Sequence, residues 1–173
     1  MERQDLAAAR AQGLRLGLSS HSLWELARAV AWSPDYIACG PVWPTLTKAM
    51  PWRPQGLHNL AWWAAMAPAA VVGIGGVLEP QQLAEIARSG AQAGCVVRGL
   101  AEGAVHSPNA WQQAWRDGSD RPSAHALHWP LPSLSSGSTP SADADFGVGG
   151  LYSGCYKQRM LHRRNQGWPE VCL

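Results

Sequence analysis

Lys48 lies one residue after Thr47 and three after Thr45, in a loop GPVWPTLTK that follows the apolar run DYIAC. An ammonium group is a compact charge with three donors, and hydroxyls beside it add short neutral ones. Such a set suits a diphosphate or a second phosphorylated ligand; a solvated lysine on a turn is the plainer alternative. Two other stretches offer main chain to an anion. Gly75 and Gly76 end the run GIGG, where N–H groups can approach a ligand unobstructed, although a tight strand–helix turn would use glycine equally well. Val97, Arg98 and Gly99 close another apolar run ahead of an expected helix, whose free N–H groups favour an anion. The Arg98 side chain would either pair with that anion or point outward. Upstream, Ser19 and Ser20 of SSHS add hydroxyls, and His21 is a general base or, more simply, a capping or packing residue.

These clusters share one position relative to the elements that carry them. LRLGL (14–18), YIAC (36–39), AAVVGI (69–74) and GCVV (94–97) read as strands, and each is followed after a short loop by a helical pattern. The helices are LWELARAVAW, opened by Ser22 with Glu25 three residues on as a capping box, HNLAWWAAMA, Pro80 to Arg88, and a stretch containing Trp111 and Trp115. Strands apolar on both faces and alternating with helices mean βα units around a parallel sheet. Four such units make half of an eight-stranded barrel or most of a small doubly wound sheet. The polar and glycine-rich loops all follow strands, on the carboxyl-terminal face where both folds place their sites.

Composition narrows the function classes. The chain has 173 residues, a formal charge of +2 and 46% apolar residues, enough for one domain of ordinary size. The basic residues do not gather in the folded part, which argues against a nucleic-acid footprint. No uninterrupted apolar run approaches the roughly 18 residues of a membrane span, and MERQDLAAAR lacks the apolar core of a signal peptide. Four cysteines form no CxxC pair, and Cys39 and Cys95 fall inside strand candidates as small hydrophobes, so a cytoplasmic location is expected. From about residue 119 the chain becomes rich in Ser, Pro and Gly, without periodicity. The expected division is a folded unit over 1–118 and a disordered, solvated tail over 119–173.

The order GLRLGLSSHS, DYIACGPVWPTLTKAMPWRPQGL, VVGIGGV and GAQAGCVVRGL resembles the carboxyl-terminal half of thiamine phosphate synthase, with the P-T-x-T-K loop and the later Gln55-Gly56 as the specific part. The resemblance implies a (β/α)8 barrel, here only the last four of its eight units plus an irregular tail. It implies a transferase that joins hydroxymethylpyrimidine diphosphate to thiazole phosphate, releasing diphosphate with Mg2+ assistance. On that basis Thr45, Leu46 and Thr47 would contact the thiazole substrate, and Lys48 the pyrimidine diphosphate. Ser19 would bond the pyrimidine substrate, while Gly75 or Gly76 and the backbone of Val97 and Arg98 would hold the thiazole phosphate. Lys48 and Ser19 are the residues that the resemblance places nearest the chemistry. Many family members have serine where this chain has Arg98, so a backbone contact is retained there and a hydroxyl contact is not.

The family's earlier strands carry a Gln-x-x-x-Lys segment, an Asn-Asp pair and a Gln-Glu-Asp segment. The first two have no counterpart here, and Asp5 of ERQDL is the single candidate for the third; it is equally a helix-capping aspartate. The chain therefore holds no set of metal ligands that the resemblance can assign. Three expectations follow: a truncated, poorly active synthase; a thiazole tautomerase-like isomerase, which would usually lack T-x-T-K; or a non-catalytic phosphate-binding fragment. The last would need a partner, either a complementary half-barrel chain or a second copy, since a half barrel exposes two sheet edges.

Overall fold

A computed structural model describes residues 3–45, 52–101, 103–121, 127–133 and 171–172. Along the chain come α1 (Arg3–Ala11), β1 (Gly17–Ser20), α2 (Leu23–Val30), β2 (Tyr36–Cys39), α3 (Gly56–Met66), β3 (Ala70–Ile74), α4 (Pro80–Arg88) and β4 (Ala93–Cys95). A 3-10 turn over Arg98–Leu100, α5 (Pro108–Ser119) and β5 (Val171–Cys172) complete the described elements. The strands form one parallel sheet in the order β1-β2-β3-β4-β5. Four strands alternating with helices in chain order are the expected half of a barrel, and none of the described helices is long and apolar enough to cross a membrane.

Local chemistry fixes the starts of three helices. Ser22 caps α2 by accepting from the Glu25 amide at 3.2 Å. The Glu25 carboxylate departs from a simple capping box: it accepts from the backbone N–H of His21, at 2.6 Å. Pro80 opens α4, and the Gln82 side chain accepts from the Leu78 and Glu79 amides at 2.7 and 3.0 Å. Pro108 opens α5 behind Ser107, whose hydroxyl accepts from the Ala110 amide. Asp5, read as a possible cap, lies inside the first turn of α1 instead.

Two expected elements are displaced. Leu14-Arg15-Leu16 reads as strand but precedes the ladder, because Leu16 donates to the Asp35 carboxylate at 2.7 Å and accepts from the Asp35 amide at 2.8 Å. Register therefore starts at Gly17, opposite Tyr36. After β4, Val96 and Val97 leave the sheet and a short 3-10 turn intervenes; the expected helix containing Trp111 and Trp115 begins at Pro108.

Alternation along the strands separates two apolar faces. Ile37, Cys39 and Val71 face the helices and pack with Leu60, Trp63, Leu83, Ile86, Trp111 and Trp115. Val72, Ala93 and Cys95 turn the other way and cluster with Tyr36 and Ile74, on the side that is the interior of a barrel. Burying one side chain the size of Leu83 contributes about 1.5–3 kcal/mol, whereas a surface ion pair contributes about 0–1. Beside the half-buried or exposed ion pairs His21–Glu25 and His106–Glu79, apolar burial is the larger contribution to this layer.

α4 and α5 approach at Gly118, where a Cβ would lie 2.3 Å from the Ala84 carbonyl oxygen and 2.8 Å from its Cα. Backbone cannot yield as a side-chain tip does, so Gly118→Ala should force the helices apart and cost about 1–3 kcal/mol. Urea denaturation should show this as a lower midpoint, with exposed Gln112→Ala as a control within about 0.5 kcal/mol of the parent. Cys39 supplies a second test. Its thiol is buried, and the loss of solvation pushes its pKa far above the ordinary range, so the reactive thiolate is suppressed. Maleimide labelling followed by peptide mapping should find Cys39 on the order of 100-fold slower in the native chain than in denaturant.

Candidate functional site

The carboxyl ends of β1 to β4 bring the polar loops together. Beyond β2 the chain crosses the end of β3: the Val42 amide donates to the Ile74 carbonyl at 2.9 Å, and the Trp43 amide to that of Gly75 at 3.1 Å. The crossing needs glycine beneath it. Gly75 and Gly76 have φ of 94° and 73°, and a Cβ would fall 2.7 Å from Pro41 Cα at the first and 2.6 Å from the Trp43 oxygen at the second. The close approach made by GIGG within this chain is thus to the 41–44 loop. It sets the glycine pair directly under the segment leading to Thr45, which is half-buried. Leu46, Thr47 and Lys48 lie outside the described residues.

Along the neighbouring strand end, Val97 is 58% exposed and Arg98 is exposed, at the start of the 3-10 turn. Arg98 makes no salt bridge among the described residues. His106, further along this loop, contacts the Glu79 carboxylate at 2.6 Å and meets the Trp111 ring edge-on, which ties the loop to the start of α4.

At β1 the two serines separate. Ser19 is exposed on the barrel-interior side, in register with Ala38, which in turn pairs with Val72. Ser20 faces the helices, is 1% exposed, and its hydroxyl finds no hydrogen-bond partner among the described residues. His21 is engaged rather than free: Nδ1 lies 2.9 Å from Glu25 Oε2, and the ring stacks on Trp52 with centroids 6.1 Å apart. Its place is that of a packing and capping residue.

Gln55 has a part here that its sequence context did not disclose. It is 3% exposed. Its backbone N–H donates to the Pro41 carbonyl at 2.7 Å, and Nε2 donates to the carbonyls of His21 at 2.7 Å and Arg53 at 3.4 Å. Oε1 accepts from Asn59 Nδ2 and Ser133 Oγ, both at 3.1 Å. One buried amide therefore joins the loops after β1 and β2 to α3. The Gln-Gly pair before a helix was the only local signal, and it indicated no partner.

Phosphate chemistry and metal chemistry make different demands. The strand-end loops supply glycine turns, an exposed arginine and a serine hydroxyl. A Mg2+ site needs convergent oxygen ligands, often carboxylates. Among the described residues no group of three His, Cys, Asp or Glu comes together, and Asp5 stands in α1 without a second acidic residue beside it in that helix. These residues do not make a Mg2+ site by themselves.

Comparison with known proteins agrees with this architecture. The thiamine-phosphate synthase of Rhizobium etli is 42% identical over 112 residues, which cover 64% of this chain and 53% of that protein. The thiamine-phosphate synthase of Neisseria meningitidis serogroup A is 53% identical over 78 residues, 44% of this chain and 38% of that one. The chain thus spans about half the length, or less, of these curated relatives. Among solved structures, the thiamine phosphate pyrophosphorylase from Pyrococcus furiosus superposes with a TM-score of 0.55 at 25% identity, covering 68% of this chain and 56% of that one. Four parallel βα units, the glycine pair beneath the crossing loop and a match of residues 1–100 to the thiamine monophosphate synthase (TMP-TENI) model all converge, and the chain belongs to that family, covering part of its domain.

Proposed function

We propose that this chain carries the phosphate-binding wall of a thiamine phosphate synthase site and takes two phosphorylated substrates, a pyrimidine diphosphate and a thiazole phosphate. The observation that carries the reading is the 41–45 segment crossing Gly75 and Gly76 beside the exposed Val97-Arg98 turn. In this reading the main chain at Gly75, Gly76, Val97 and Arg98 receives the thiazole phosphate. Thr45, Leu46 and Thr47 hold the rest of that substrate, Lys48 neutralises the leaving diphosphate, and Ser19 bonds the pyrimidine from the barrel-interior side. The reaction asks for charge neutralisation and alignment of two substrates more than for a strong base. A His21 held by Glu25 and Trp52 is compatible with that demand. The cytoplasm is the location that family membership implies.

A second reading has its own support. No carboxylate cluster for Mg2+ is present among the described residues, and the chain covers about half of its Rhizobium relative. On this reading the chain binds phosphorylated ligands and turns over only with a complementary half barrel or a second copy. No step through magnesium is therefore assigned to this chain alone.

Incubating the purified chain with both substrates and Mg2+ separates the possibilities. Thiamine phosphate formation supports the synthase, isomerisation of the thiazole alone supports a tautomerase, and ligand binding without turnover supports the partner-dependent reading. We expect binding with little or no turnover. Replacing Lys48 by alanine removes a charge-assisted contact worth about 1.5–3 kcal/mol, hence about 10- to 100-fold in affinity. Calorimetry should find that loss for the pyrimidine diphosphate and a smaller one for the thiazole phosphate; two unchanged affinities would remove Lys48 from the site.

A further inference from the structure

The amide network around Gln55 extends to a piece of chain that the family-like unit does not contain. Residues 127–133, LHWPLPS, lie along α3. Asn59, 2% exposed, grips Leu131 at both main-chain groups: Nδ2 donates to the Leu131 carbonyl at 3.0 Å, and Oδ1 accepts from the Leu131 amide at 2.8 Å. His58 Nε2 donates to the Trp129 carbonyl at 3.0 Å, and the Arg53 amide donates to the Ser133 carbonyl at 2.7 Å. Ser133 Oγ then completes the acceptor set of Gln55 Oε1.

The contacts are to backbone much more than to side chains. Leu131 is 60% exposed and Trp129 79%, although the Trp129 ring meets Trp62 edge-on and His128 stacks on His58. Pro130 and Pro132 flank the gripped residue and pre-set an extended conformation, which lowers the entropy lost on docking. The inventory is also complete. Both Nδ2 protons and the oxygen of Asn59 are used, as are both donors and the acceptor of Gln55. A buried polar network is stabilising when every member is satisfied, and here two of the partners belong to 127–133.

We propose that residues 127–133 are a latch in cis: the Gln55–Asn59 face of α3 reads the main chain of this extended, proline-flanked segment, and its docking holds the loops after β1 and β2 in place. Transmission runs through groups already named. Ser133 and Asn59 fix the Gln55 side-chain amide, which holds the His21 and Arg53 carbonyls, while the backbone N–H of the same residue holds that of Pro41. The latch rests on the fold and on no assignment of substrate.

Hydrogen–deuterium exchange of the full chain, read peptide by peptide, tests it. Residues 127–133 should exchange at least tenfold more slowly than the same heptapeptide free in solution. Asn59→Leu should abolish that protection and raise exchange over 52–55. Because Asn59 is buried, Leu131→Pro provides a second variant: it deletes the gripped N–H together with a mostly exposed side chain and keeps the extended backbone. It should release 127–133 and speed exchange at 52–55 while peptides from the core of α3 stay protected. Free exchange of 127–133 in the parent chain, or unchanged protection in Leu131→Pro, would overturn the latch. Release of 127–133 with no change at 52–55 would overturn its coupling to the site loops.

Discussion

A parallel sheet has to leave water on both faces, and that requirement organises this molecule. One face is met locally. α3, α4 and α5 lay Leu60, Trp63, Leu83, Ile86, Trp111 and Trp115 across Ile37, Cys39 and Val71, with Leu26 and Ala29 of α2 in the same cluster. The other face, with Val72, Ala93 and Cys95, has the geometry of a barrel interior but only half of a barrel's strands around it. Parallel pairing sets the carboxyl ends of β1 to β4 on the same rim. The functional loops are thereby gathered before any ligand is considered.

At that rim the main chain is the first ligand of its own glycines. The 41–44 segment rests on Gly75 and Gly76 at distances no Cβ would tolerate, and its amides are paired with the end of β3. The loop leading to Thr45 is therefore positioned by backbone contact. Preorganisation of this kind lets charged groups act on a substrate without first paying for their own ordering.

Periodicity made the architecture legible where local chemistry and tertiary pairing agree. Tyr36–Cys39 and Pro80–Arg88 were readable to the residue, because apolar runs and a proline coincide with their ends. β1 was not, since Leu14 and Leu16 look like strand until the Asp35 carboxylate claims the Leu16 amide across the loop. The turn at Arg98–Leu100 was hidden for a similar reason: nothing local separates a short 3-10 turn from the first turn of a helix. Gln55 marks the limit of local reading. Its partners His21 and Ser133 lie 34 and 78 positions away, and a lone amide in a sequence says nothing of either. Residues 127–133 are likewise held through backbone groups that every residue possesses, so their composition could indicate only what they are not.

The placement of Val171–Cys172 alongside β4 bears on assembly. Among the described residues the sheet ends at β1 on one border and, beyond β4, at the two-residue β5 on the other. A neighbouring copy offering its β1 to β4 would make a head-to-tail joint, which closes into a ring or grows into a filament according to its rotation. Val171–Cys172 occupies the positions along Gly94 and Cys95 that such a joint would use, so a second copy or a complementary half barrel has to displace it to pair there.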